Sequence, residues 1–206
     1  MSVTSRLKAV LALPAAYRRL MEMLANEPNR RWFIEDVLKP RPGDKIVDVG
    51  CGPGDMLTRL PPVDYVGCDI SEAYIAGARR AFGDRAVFIA GRCDDWRRDA
   101  RTRDADIVLA HGVLHHVDDE EFLRILEFAR AALKPDGRFV FYEPCYLIWQ
   151  SRLSAFLMSH DRGQHIRKEQ EWKELAGRVF PRITTSIVTS ANLLGYTCII
   201  GECRTR

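Results

Sequence analysis

The sequence predicts a doubly wound α/β fold: a seven-stranded, mostly parallel sheet with an N-terminal helical cover and a C-terminal antiparallel hairpin. Three observations carry that expectation. Short apolar runs at 45–49, 64–69, 86–90, 105–110 and 138–143 alternate with helical patterns, as parallel strands joined by right-handed helical crossovers require. The first run ends in glycines at alternate positions, Ile46-Val47-Asp48-Val49-Gly50-Cys51-Gly52-Pro53-Gly54. Two β-rich runs, 182–190 and 195–203, end the chain across the link Ala191-Asn192-Leu193-Leu194. So short a connection pairs strands antiparallel.

Residues 6–38 read as helix. Leu20, Met23 and Leu24 share one face, as do Phe33, Val37 and Leu38, with basic residues between them. Pro40-Arg41-Pro42-Gly43 ends this cover. The strand 45–49 then enters the glycine turn, and a helix near 55–60 follows. Asp64-Tyr65-Val66-Gly67-Cys68-Asp69 is the second strand, and Ser71 caps the helix 71–82. The helix 119–133 stops at Lys134-Pro135-Asp136-Gly137, which turns the chain into the fifth strand. Helices at 149–159 and 167–179 flank the polar loop Ser159–Arg167. The chain therefore reads as one domain, 1–206: helical cover 1–40, cofactor-binding core 41–145, and acceptor-side helices with the terminal hairpin 146–206.

Composition sets bounds. A hydrophobic fraction of 47% is ample for a packed core. A net charge of +3 is too mild to call for nucleic acid. The six cysteines lie far apart with no C-x-x-C pair, so no metal site is expected, and the pattern suits a reducing cytoplasm. Arg6 and Lys8 before a short apolar run only faintly imitate a signal peptide, and no stretch approaches a membrane span.

A strand that ends in such a glycine turn and opens a helix brings bare backbone and free N–H groups against a ligand. Dinucleotide folds prefer G-x-G-x-x-G, whereas here the third glycine comes one residue early. Asp69 ends the second strand nineteen positions after Gly50. A carboxylate there suits both hydroxyls of a ribose.

The stretch resembles the first motif of class I S-adenosylmethionine-dependent methyltransferases, hydrophobic-Asp-hydrophobic-Gly-Cys-Gly-x-Gly. The resemblance continues through Phe88–Trp96, where that family reads adenine, and through Ala105–Val117, its fourth strand and following turn. Together these matches cover residues 40–145. The resemblance implies S-adenosyl-L-methionine as cofactor, held by Asp48, Gly50, Cys51, Gly52 and Gly54. Asp69 and Ile70 would meet the ribose side, Cys93 and Asp94 (or Asp95) the adenine, and Ala110 and His111 the end of the fourth strand. Where the family often has Asp, this chain has Arg92.

The implied activity is methyl transfer to a small, polar acceptor at oxygen or nitrogen. A hydroxyl acceptor needs a general base, and His111, His116, His165 and Glu143 are the candidates. On the acceptor side the expectation places Tyr17, His115, Tyr146, Arg162, Gln164, His165 and Arg167, the two arginines forking onto an anionic or sugar-like group. The rival readings are a non-catalytic S-adenosylmethionine-binding protein, a nicotinamide oxidoreductase, and a methyltransferase acting on a nucleic-acid or lipid-like acceptor. Ala110-His111-Gly112-Val113 stands where many base-amine enzymes carry Asn/Asp-Pro-Pro-Tyr.

Overall fold

The computed structural model describes residues 31–159, 163–189 and 197–206. Eight strands form one mixed sheet. They are β1 (Lys45–Val49), β2 (Asp64–Asp69), β3 (Val87–Ala90), β4 (Ala105–His111), β5 (Leu133–Tyr146), β6 (Arg167–Lys168), β7 (Arg182–Thr189) and β8 (Thr197–Arg204). Their order is β3-β2-β1-β4-β5-β8-β7, with the two-residue β6 pairing with β5 off that path. β1 to β5 run parallel, and β8 is antiparallel to both β5 and β7. The expected sheet of seven is therefore eight, because residues read as the start of a helix extend beside Cys145 and Tyr146 instead.

Five α-helices accompany the described strands: α1 (Glu72–Phe82), α2 (Cys93–Arg98), α3 (Asp119–Ala132), α4 (Arg152–Ser159) and α5 (Glu169–Gly177). Alternation along the strands divides the core between two faces. Val47, Val49, Val66, Cys68, Val108 and Ala110 pack under α2, α3 and α5 with Phe122, Phe128 and Trp172. Ile46, Tyr65, Ile107 and Leu109 face the other way, onto Ile75 and Ala78 of α1 and onto Phe33, Ile34 and Leu38. A sheet covered on both faces is doubly wound.

Several boundaries differ from the sequence reading. Of the helix expected at 6–38, residues 1–30 lie outside the described residues. Phe33–Leu38 forms a π-type helical segment that Lys39 closes in the left-handed region at φ 42°. The segment after the glycine turn, Asp55–Arg59, is a 3-10 turn. α4 and α5 start later than expected. Ser71 caps α1 as expected, accepting the Tyr74 N–H at 3.3 Å. β5 begins at Leu133, which pairs with Ala105 before a register shift carries Ile107 onto Arg138. The short helix α2 was read only as a turn. Its N-terminus is closed when the Arg92 N–H donates to Asp95 Oδ2 at 3.0 Å.

Candidate active site

The carboxyl ends of β1, β2 and β4 meet at the glycine turn, where ligands enter open α/β sheets. Gly50, Gly52 and Gly54 all have positive φ, at 71°, 55° and 84°. The Gly50 and Cys51 N–H groups donate to Cys68 O at 2.8 and 3.1 Å, which bends the chain off β1 across the end of β2. Gly50 is required sterically, since a Cβ there would stand 2.7 Å from Val113 Cβ. At Gly52 the situation is opposite: a Cβ would meet no protein atom within 4 Å. Its bare backbone faces open space.

Asp69 does two jobs at the end of β2. Its Oδ2 accepts the Gly52 N–H at 2.9 Å and its Oδ1 accepts the Ser71 N–H at 2.8 Å. The sequence reading left this carboxylate for a ligand alone. It also holds the turn, with further acceptor capacity on each oxygen. Under the turn, Asp48 is almost fully buried and accepts the Tyr65 hydroxyl at 2.5 Å. Burial pushes its carboxyl up to about 7, against the Tyr65 hydrogen bond, and the Asp69 charge adds to the rise. Burial also raises the Cys51 thiol well above its ordinary range, which keeps it neutral.

A cavity of about 190 Å³ opens here, lined by Asp48, Gly50, Cys51, Gly52, Pro53, Asp55, Met56 and His111. Sequence reasoning did not single out Pro53, Asp55 or Met56, although their place directly after the turn was a usable signal. A larger groove of about 730 Å³ shares none of these residues. Its charged lining includes Arg138, Glu202 and Arg204, which already bond to one another.

His111 ends β4 on the cavity wall, its ring stacked 4.9 Å from Tyr142 and set edge-on 5.0 Å from Phe33. Ala110 is buried beside it. Ile70 is exposed beyond Asp69. Cys93 opens α2 with its thiol buried and Asp94 exposed.

The turn after β4 carries two further histidines of the expectation. His116 is exposed, with its ring 4.0 Å from that of His115. His115 is buried, its Nδ1 2.6 Å from Glu143 Oε2. Glu143, expected as a possible base, is buried beneath this turn. Its Oε1 accepts the N–H groups of Val113 and Leu114 at 2.9 and 2.8 Å, and its Oε2 accepts that of His115 at 3.3 Å. A carboxylate so bonded and so enclosed positions the turn and does not reach an acceptor.

Arg167 is likewise corrected. Instead of forking onto a ligand it is buried and bonds Asp119 Oδ1 at 2.9 Å and the carbonyls of Leu114, Val117 and His165. Its guanidinium lies over the rings of Phe122 and Trp172. A planar cation among aromatic faces and carbonyl oxygens is satisfied without a ligand. His165 donates its N–H to His115 O at 3.0 Å, Gln164 is exposed, and Tyr146 pairs with Lys168. Tyr17 and Arg162 lie outside the described residues. Among the described residues no group of three or more His, Cys, Asp or Glu could hold a metal ion.

Residues 47–139 match the family model described as Methyltransferase domain. A mouse (Mus musculus) protein, "Probable tRNA methyltransferase 9B", is 31% identical over 117 residues, covering 56% of this chain and 24% of that protein. The chain thus spans about a quarter of that relative. Among solved structures, the S-adenosylmethionine-dependent methyltransferase SibL aligns with TM-score 0.70 and 19% identity, over 98% of this chain and 62% of its own. The pyocyanin biosynthetic protein PhzM aligns with TM-score 0.67 and 22% identity, over 93% and 59%. The bare backbone of Gly52 and the carboxylate of Asp69 suit S-adenosylmethionine, the cofactor on which SibL depends. Over residues 47–139 the chain thus matches a methyltransferase domain, and its fold is the Rossmann-like one of class I S-adenosylmethionine-dependent methyltransferases.

Proposed function

We propose that this domain transfers a methyl group from S-adenosylmethionine to the oxygen or nitrogen of a small, polar acceptor. The observation that carries the reading is the open Gly52 backbone and His111 on one cavity, with Asp69 bonded to the Gly52 N–H beside it. The cofactor supplies an activated methyl on its sulfonium sulfur, so the chain's own part is alignment and exclusion of water. Asp69 would hold the ribose, Ile70 would cover it, and the N-terminus of α2 at Cys93 and Asp94 would face the adenine. His111 stands where an acceptor would approach. It is the proposed positioning group or base, with His116, exposed in the turn after β4, as the alternative.

A nucleic-acid acceptor is the second reading, supported by the similarity to the probable tRNA methyltransferase 9B. One assay separates the two. The protein is incubated with methyl-labelled S-adenosylmethionine and either a small-metabolite extract or total tRNA. Label in the small-molecule fraction supports the first reading, and label only in RNA overturns it. Cofactor binding is tested separately by calorimetry with S-adenosylhomocysteine. Asp69→Asn is expected to weaken it by tenfold or more, about 1.4 kcal/mol. Unfolding curves distinguish this loss from collapse of the turn, and tight NAD binding would overturn the cofactor assignment.

A further inference from the structure

Directly after β5, at the carboxyl rim of the sheet, Ile148 and Trp149 stand 102% and 70% exposed. They form the tip of a tightly bonded turn. The Gln150 N–H donates to Leu147 O at 3.4 Å, and the Leu147 N–H donates to Gln150 Oε1 at 2.6 Å. The Gln150 amide continues to Met158 Sδ at 3.2 Å and to Ser154 Oγ at 3.4 Å, on the following helix α4. The turn is thus built to hold two large apolar side chains out in water. Exposed apolar groups presented this way mark a contact with something apolar.

The chemistry around the tip selects the partner. From Pro144 through Ser159 the sequence has no Asp or Glu and a single cation, Arg152, three residues beyond Trp149. Trp149 is the residue type that favours the boundary between headgroups and acyl chains, and an arginine close by in sequence suits anionic lipid phosphates. Arg152 is the single cation of this stretch, too little positive charge to follow a phosphate backbone, which disfavours nucleic acid. A protruding two-residue tip also lacks the broad flat core of a protein interface. α4 has 8 residues, and no described helix is long and apolar enough to cross a membrane. The element would therefore lie on a bilayer.

We propose that the Leu147–Gln150 turn is an interfacial anchor. It inserts Ile148 and Trp149 into the headgroup zone of an anionic phospholipid bilayer, with Arg152 at the phosphates. This goes beyond the methyl-transfer reading and does not depend on it, since docking is measured without cofactor or acceptor.

The test is co-sedimentation with vesicles of equimolar phosphatidylcholine and phosphatidylserine, alongside tryptophan fluorescence. Trp96 and Trp172 are buried and Trp32 is half-buried, so Trp149 at 70% exposure is the most exposed reporter. The wild-type protein is expected to sediment with the vesicles and shift its emission to the blue. Trp149→Phe should abolish most of that shift while retaining binding. The Ile148→Ser/Trp149→Ser double variant should lose roughly tenfold in partitioning. Its turn is held by Leu147 and Gln150, so its unfolding curve and S-adenosylhomocysteine affinity should match wild type. Arg152→Gln should weaken binding to these vesicles but not to pure phosphatidylcholine. Failure of the wild-type protein to bind, or equal binding by the double variant, overturns the proposal. So does self-association through this turn in the absence of any lipid binding.

Discussion

His115 Nδ1 lies 2.6 Å from Glu143 Oε2, and that carboxylate is wholly buried while it also accepts three backbone N–H groups of the turn after β4. One side chain on β5 therefore fixes the conformation of the segment that carries His116 and adjoins Gly50. The charge is tolerated because every bond made to it is charge-assisted. Glu143→Gln keeps the volume but turns an NH₂ group towards donors, leaving buried N–H groups without an acceptor. The expected loss is about 2–4 kcal/mol of stability, read from urea unfolding. A variant as stable as wild type would show that the turn holds itself.

The opposite side of the same turn rests on Arg167. Its guanidinium takes the carbonyls of Leu114 and Val117 that Glu143 cannot. Arg167→Gln should cost about 3–5 kcal/mol, because it breaks a buried ionic network and opens space between Phe122 and Trp172. Asp119 is 69% exposed, so Asp119→Ala should cost no more than about 1 kcal/mol. Thermal unfolding of the two variants measures that asymmetry. Equal losses would mean that the ion pair, and not the carbonyl contacts, does the anchoring.

These two residues mark where the sequence was legible and where it was not. The alternation of apolar runs located β1 to β4 closely, and the glycine spacing led to the cavity at Gly52, because both signals are local. Glu143 and Arg167 were read as ligand-facing because their surroundings are assembled from distant segments. Nothing near Arg167 in the chain announces Asp119, Phe122 or the Leu114 carbonyl. Its place in the dense polar run before α5 suggested a clamp, whereas the fold buries it. The helix read across 167–179 starts two residues late for the same reason, since Arg167 and Lys168 are drawn into strand pairing with β5. At Asp69 the ribose expectation missed the second role, as Gly52 and Ser71 meet it only once β1 and β2 are side by side.

Asp48 gives a pH signature. Its folded-state carboxyl is raised to about 7 from 3.8, chiefly by burial. Between those values the folded protein binds a proton that the unfolded chain has released. The contribution to stability is therefore complete below about pH 4 and is lost as pH rises through 7. Asp48→Asn keeps an acceptor for the Tyr65 hydroxyl and removes the titration. Other carboxylates titrate alike in both proteins, so the difference between their urea-unfolding free energies isolates Asp48. That difference should grow in favour of the Asn variant from pH 4 to 7, by about 1.4 kcal/mol per unit at most. A difference independent of pH would show that Asp48 is not held protonated.

Gly50 and Val113 form the contact on which the cavity depends. Gly50 sits at φ 71° directly over the Val113 side chain, so alanine at this position meets two separate penalties. The left-handed backbone costs about 1 kcal/mol, and the overlap with Val113 adds about 1–3 kcal/mol. Gly50→Ala should therefore lower stability by about 2–4 kcal/mol and weaken S-adenosylhomocysteine binding, because the turn can relieve the overlap only by moving Cys51 and Gly52. Val113→Ala removes the overlap with the two γ-carbons but leaves the Cβ contact and the first penalty, so it relieves part of the strain. In a double-mutant cycle, Val113→Ala should cost less in the Gly50→Ala background than alone, with a coupling of about 1–2 kcal/mol. Calorimetry on the same four proteins should show part of the lost affinity returning in the double variant. Strict additivity would mean that backbone strain alone accounts for the glycine, and that the packing of the turn after β4 against the first loop leaves the cofactor cavity unaffected.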